Sequence, residues 1–318
     1  MTSLEHATPT LDDVRLAASR IAGSVKRTPI LTSTSIDTYC GRRVYLKAEH
    51  LQTTGAYKIR GGTNFIRAHA ERGLIPENGV IAASSGNHGL GVARAAQRAG
   101  ISAIIVLPDN VVKAKLAAIR GYGAETILTA PERTQDLAGE LSVVNGLLNV
   151  PPYDHPLIVA GQATATIEAL EDAPPVEAIV VPIGGGALAS GAVIAASSQH
   201  SPPLVYGVEP IGADDTRRSL EARHRIVLNE PHSIADGLLP PTPGELTFAI
   251  LQYGLAGVAT VGDDEILDAA RYTVLRTKQL IEPSAAVTLA ALHACRIPGD
   301  GPVLILLSGG NVDPLTIF

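Results

Sequence analysis

Four short stretches combine small residues with side chains able to do chemistry, and each follows an apolar run. Thr54-Gly55-Ala56-Tyr57-Lys58 places an amine just after a turn, near the start of a helical segment. Backbone N–H groups and a positive helix end lower an amine's pKa there, which favours its use as nucleophile and base. Ser84-Ser85-Gly86-Asn87-His88-Gly89 offers hydroxyl, amide and imidazole groups on a backbone that a ligand can approach closely. The helix start that follows suits an anion. Pro182-Ile183-Gly184-Gly185-Gly186-Ala187 sets three consecutive glycines between a strand and a helix. Their N–H groups can form a nest around a phosphate. Leu307-Ser308-Gly309-Gly310-Asn311 carries a hydroxyl out of the last apolar run.

Taken singly, each stretch has a plainer reading. A lone Lys is most often a solvated surface residue. Ser84 to His88 reads equally well as a helix cap with a tight turn, and His88 as a satisfied polar side chain. The glycine run could be a flexible turn, although the helix terminus behind it favours an anion site. It is neither a dinucleotide fingerprint nor a Walker loop, because no Gly-Lys-Ser/Thr follows. Ser308 alone reads as a C-terminal turn.

The elements that must position these residues are legible as Val- and Ile-rich runs alternating with helical patterns. Strands are expected at 44–48, 80–83, 102–107, 125–128, 178–182, 204–208 and 303–307. Several are apolar throughout, as in parallel strands buried on both faces. Helices are expected at 11–25, 88–98, 112–120, 163–170, 188–197, 264–277 and 285–295. This alternation predicts an α/β fold of open, twisted, mostly parallel sheets with helices on both faces. In such sheets ligands sit beyond the carboxyl ends of strands, where the four stretches fall.

Composition narrows the partners. The 318 residues carry 25 Lys plus Arg against 31 Asp plus Glu, a net charge of −6, with three Phe and no Trp. That leaves neither a basic surface nor stacking platforms for nucleic acid. The apolar runs are too short to span a bilayer. Residues 1–13 show no basic stretch followed by an apolar one, so no secretory signal is expected. Cys40 and Cys295 make no disulfide framework and fit a reducing compartment. The expectation is a cytoplasmic protein acting on a small molecule, away from membranes.

In this order, the four stretches together resemble the fold type II pyridoxal-phosphate enzymes, the tryptophan synthase β family. Within it they are most similar to the threonine/serine dehydratase and serine racemase branch. The likeness runs from Arg27-Thr28-Pro29 to Ser308-Gly309-Gly310-Asn311-Val312-Asp313 and includes Gly207-Val208-Glu209-Pro210, Ala235-Asp236-Gly237 and Ile281-Glu282-Pro283-Ser284. It implies a large coenzyme-binding domain, 1–52 with 148–318, and a small domain, 53–147, that carries the substrate loop.

The resemblance also implies roles. Lys58 would be the Schiff-base lysine of pyridoxal 5'-phosphate. Asn87 would meet the ring hydroxyl, Gly184, Gly185, Gly186 and Ala187 the phosphate, Ser308 the pyridine nitrogen, and Gly237 and Glu282 the ring. Ser84, Ser85, Gly86, Asn87 and His88 would hold the substrate carboxylate. Glu209, Asp215 and the carbonyl of Ala213 would bind Mg²⁺ or Ca²⁺, hard ions that prefer oxygen. A homodimer is the family expectation.

The reaction implied is loss of water from a hydroxyamino acid of the L-threonine or L-serine type, giving a 2-oxo acid and ammonia. A hydroxyl beside the ring nitrogen stabilises a pyridinium less than a carboxylate would, which favours elimination over transamination. The alternatives are racemisation of serine or a related amino acid, for which Ser85 occupies the second-base position, and dehydration of 3-hydroxyaspartate or a hydroxyectoine-derived amino acid. Ala187 stands where a fourth glycine is common, and Pro240 where racemases carry a substrate-contacting Ser.

Overall fold

The runs that are apolar throughout become strands with a different core on each face. A computed structural model describes residues 7–84 and 86–318. Its strands are β1 (Ile30–Leu31), β2 (Val44–Lys47), β3 (Val80–Ala83), β4 (Ala103–Pro108), β5 (Glu125–Thr129), β6 (Leu148–Asn149), β7 (Ala178–Pro182), β8 (Leu204–Pro210), β9 (Gly257–Val261) and β10 (Val303–Leu306). The helices of the first half are α1 (Leu11–Ile21), α2 (Thr34–Cys40), α3 (Lys58–Glu71), α4 (Asn87–Ala99), α5 (Lys113–Gly121) and α6 (Thr134–Asn145). Those of the second half are α7 (Pro156–Asp172), α8 (Ala187–Ala196), α9 (Asp215–Ala222), α10 (Glu245–Gly254), α11 (Asp263–Thr277) and α12 (Pro283–His293).

Two sheets form. The larger has six strands in the order β1-β2-β10-β7-β8-β9, and the smaller four in the order β5-β4-β3-β6. Pairing is parallel except between β1 and β2. In β10, Val303 and Ile305 enter one core while Leu304 and Leu306 enter another. In β3, Val80 and Ala82 face one core and Ile81 and Ala83 the other. A strand covered on both sides has no polar face to show, which is why these runs lack alternation. The smaller sheet extends to Asn149, two residues past the limit of 147 expected for the small domain.

Each expected strand is present. The two-residue strands β1 and β6 and the edge strand β9, which opens on Gly257, had no readable pattern. Helix α7 begins at Pro156 rather than 163 because its first turns are buried, from Ile158 to Thr166, and present no polar face to the periodicity. Helix α10 has no counterpart among the expected helices. Its start lacks a local side-chain cap, and the Asp154 carboxylate accepts from the N–H groups of Glu245, Leu246 and Thr247 instead.

Helix α3, which begins at Lys58, is seated by a buried charge cluster. Arg60 is fully buried and donates to both oxygens of Glu49 at 2.8 Å and both oxygens of Glu168 at 2.7 Å. Lys47 donates to Glu168 at 2.8 Å and to the Thr28 carbonyl at 2.7 Å. Two cations face two carboxylates, so no buried charge is left alone. Among the described residues, no helix is long and apolar enough to cross a membrane.

Candidate active site

A cavity of about 870 Å³ opens where the four sequence stretches converge, and Lys58, Ser84, Asn87, His88, Gly184, Gly185, Gly186, Ala187, Gly237, Glu282 and Ser308 all line it. The strands explain the convergence. Ser84 follows β3, Gly184 follows β7 and Ser308 follows β10, all at carboxyl ends. Lys58 comes in from the side. The Tyr57 N–H donates to the Ser308 carbonyl at 3.0 Å, so the chain holding the lysine is bonded to the chain holding the hydroxyl.

Lys58 is half-buried, and its ammonium donates to the Pro152 carbonyl at 2.9 Å. Desolvation lowers its pKa to about 8, against the opposing pull of the Glu282 carboxylate. His88 is buried and donates from Nε2 to the Val150 carbonyl at 2.9 Å. Burial, with Lys58 nearby, pushes it down to about 3, so it is a neutral donor at physiological pH. Glu282 is pushed up to about 7 by burial and by Asp236, against the Asn87 amide. Asn87 Nδ2 donates to both Glu282 oxygens, and its Oδ1 accepts from Asn311 Nδ2 at 2.8 Å.

The glycine run turns into the N-terminus of α8. Gly186 has φ +93°, a conformation side chains rarely adopt, and a Cβ there would lie 2.8 Å from Thr247. A Cβ on Gly185 would enter the Tyr153 ring at 2.2 Å. The loop is braced from behind by Thr247, whose hydroxyl donates to the Gly185 carbonyl at 2.8 Å. Ser84 Oγ accepts from Gly86 and Gly89 N–H at 2.9 and 2.7 Å, which caps α4. Ser85 lies outside the described residues.

The family described as pyridoxal-phosphate dependent enzyme matches residues 21–309. The chain belongs to that family. Among its relatives is the L-threo-3-hydroxyaspartate ammonia-lyase of Pseudomonas sp, 37% identical over 304 residues and covered to 95% in both chains. The serine racemase of Dictyostelium discoideum is 38% identical over 314 residues, 96% of each chain. A solved threonine deaminase from T.th. superposes with a TM-score of 0.89 at 40% identity, covering 96% of this chain and 99% of that one. The fold is that of the fold type II pyridoxal-phosphate enzymes, two mostly parallel sheets flanked by helices.

The residues present fit this family's coenzyme. The cradle at Gly185 and Gly186 leaves no room for a Cβ, and its residues line the same cavity as Lys58, where a nest of N–H groups suits a phosphate. Ala187, the first residue of α8, keeps a negative φ, so its Cβ brings no backbone strain to the loop. Pro240 lines the same cavity.

Glu209 and Asp215 lie elsewhere, at the end of β8 and the start of α9, and both are fully buried with Ala213. Glu209 accepts from the N–H groups of Thr216 and Arg217, each at 2.9 Å. Neither Asp215 carboxylate oxygen has a hydrogen-bond partner. Burial raises Asp215 to about 7 and, with Asp215 beside it, Glu209 to about 8. Among the described residues no group of three or more His, Cys, Asp or Glu comes together to hold a metal.

Several residues in or behind the cavity wall were not singled out from sequence. Tyr153 and Thr247 shape the glycine cradle, and Lys115 pairs with Asp236 at 2.9 Å beside the cavity. Nothing local marks them, because each acts on a loop far away in the chain.

Proposed function

We propose that this chain is a pyridoxal-phosphate-dependent ammonia-lyase that removes water from a hydroxyamino acid of the L-serine or L-threonine type, yielding a 2-oxo acid and ammonia. The observation that carries the reading is Lys58, an amine with a pKa lowered to about 8 that shares its cavity with the Ser308 hydroxyl and the glycine cradle. Relatives named for hydroxyaspartate and threonine ammonia-lyase activity support it.

In this reading the N–H groups of Gly184 to Ala187 hold the coenzyme phosphate, Ser308 meets its ring nitrogen, Asn87 its hydroxyl, and Gly237 and Glu282 its ring. Bound there, pyridoxal phosphate supplies an aldehyde for the substrate amine and a ring that draws electrons from Cα. Ser84, Gly86, Asn87 and His88, with Ser85 between them, hold the substrate carboxylate at the N-terminus of α4. Lys58 Nζ takes the Cα proton and gives it up to the β-hydroxyl, which leaves as water while the electron pair released at Cα forms the Cα–Cβ double bond. The released enamine takes up water, giving the 2-oxo acid and ammonia.

The test is a panel of D- and L-hydroxyamino acids, 3-hydroxyaspartate included, assayed for ammonia, 2-oxo acid and chirality of the remaining substrate. Ammonia release that is lost in Lys58→Ala supports the reading. Inversion without ammonia would give the site to the racemase reading, which relatives named serine racemase favour. No reaction by protein loaded with coenzyme would overturn both. The same reading includes a Mg²⁺ or Ca²⁺ ion on Glu209, Asp215 and the Ala213 carbonyl, supported by the unpartnered Asp215 oxygens. A chelator should then lower the melting temperature and Mg²⁺ restore it. It also includes a cytoplasmic homodimer, for which light scattering on the purified protein tests the assembly.

A further inference from the structure

Lys115 and Asp236 are 121 residues apart in the chain and belong to opposite sides of the cavity. Lys115 is on α5, which packs beside the smaller sheet through Ile119. Asp236 opens a short turn whose Leu238 is anchored in the core of the larger sheet. Lys115 Nζ reaches Asp236 Oδ2 at 2.9 Å. The Lys115 side chain is 8% exposed and that of Asp236 49%.

On its way the Lys115 side chain crosses Gly86. A Cβ on Gly86 would sit 2.7 Å from Lys115 Cδ and 3.3 Å from its Cε and Nζ, so the lysine stem packs directly against the Gly86 backbone. At its far end the pair touches the other wall, since the residue after Asp236 is Gly237, whose N–H donates to Ser284 Oγ at 3.0 Å. Gly86 itself brings no side-chain anchorage to the loop and loses much conformational freedom on ordering. An alkyl stem laid across it, with a charged end tied to the opposite wall, supplies that anchorage.

We propose that Lys115 and Asp236 form a latch across the cleft, with Lys115 a positioning residue that holds the Gly86 loop in its substrate-binding shape. This rests on the reading of that loop as the substrate-carboxylate site. The latch acts on substrate capture, because it orders the loop before the substrate arrives. It leaves proton transfer at Lys58 to the groups around Lys58.

The test compares wild type with Lys115→Met, Asp236→Asn and the exchanged pair Lys115→Glu/Asp236→Lys. Each single variant should raise KM for the amino acid roughly five- to tenfold and change kcat by less than about threefold. The exchanged pair should recover most of that rise. In protein without substrate, amides of residues 86–90 and 113–121 should exchange faster with solvent in Lys115→Met and return towards wild type in the exchanged pair. Overturning results are an exchanged pair with a higher KM than either single variant, which would mean that the ammonium meets substrate directly, or unchanged amide exchange at 86–90. Failure of the wild type to release ammonia would count against the proposed reaction, while the exchange comparison still reads the latch.

Discussion

The side-chain amide of Asn87 donates to both carboxylate oxygens of Glu282, at 2.9 and 3.0 Å, across 195 residues of chain. It joins the first residue of α4 to the cap of α12, two elements that meet at the cavity. The amide is itself oriented, because Asn311 donates to its Oδ1 and also to the Thr54 carbonyl, each at 2.8 Å. Four stretches of chain are thereby fixed by one polar network inside the cavity.

Asn87→Ala leaves Glu282 buried without these two donors. A loss of about 1–3 kcal/mol is expected in urea unfolding of the coenzyme-free protein. Glu282 is raised to about 7, so its favourable contribution is full below the unfolded carboxylate range and fades as pH rises through about 7. The substitution should therefore cost more at pH 8, where Glu282 is charged, than at pH 5. Equal costs at both values would contradict the assignment.

Lys58 should set the rising, acid-side limb of the activity profile. Only the free amine takes a proton, and its pKa is lowered to about 8, so ammonia release should climb as pH rises through about 8. Lys58→Arg, always charged, should lose roughly 10³-fold or more in kcat. A flat profile between pH 7 and 9 would remove Lys58 from the role of base.

His88 governs acid sensitivity. Its folded pKa is depressed to about 3, so its neutral form is favoured in the native state. The unfolded chain binds the proton more readily, and stability falls as pH drops through the unfolded histidine value towards 3. His88→Gln keeps a donor for the Val150 carbonyl without a group to titrate. The melting temperature of that variant should fall less steeply between pH 6.5 and 4 than that of the wild type.

Gly186→Ala introduces a Cβ at φ +93° and 2.8 Å from Thr247. A destabilisation of about 1–3 kcal/mol is expected, with weaker retention of pyridoxal phosphate on dialysis. Gly139→Ala, in open space on α6, is the control and should hold coenzyme like the wild type.

Arg60→Met should be the most damaging change in the charge cluster, because it strands Glu49 and reduces the compensation of Glu168. A loss of about 3–5 kcal/mol is expected in chemical unfolding. Arg60→Lys keeps the charge without the two-pronged contacts and should fall between the two.

The strand runs and the four junctions were legible in the residues themselves. Parallel strands buried on both faces leave an unbroken apolar run, as at 178–182, and tight backbone approach leaves glycines, as at 184–186. Both are local consequences of packing, and they place the cavity at the carboxyl ends of β3, β7 and β10. Tyr153 and Thr247 behind the glycine cradle, the Asp154 cap on α10, and the Lys115–Asp236 pair were decided only by the tertiary structure. Each joins residues distant in the chain through a side chain whose type has many ordinary uses. The same holds for Lys58: its position after the turn was readable, but the desolvation that lowers its pKa exists only once the folded chain closes around it.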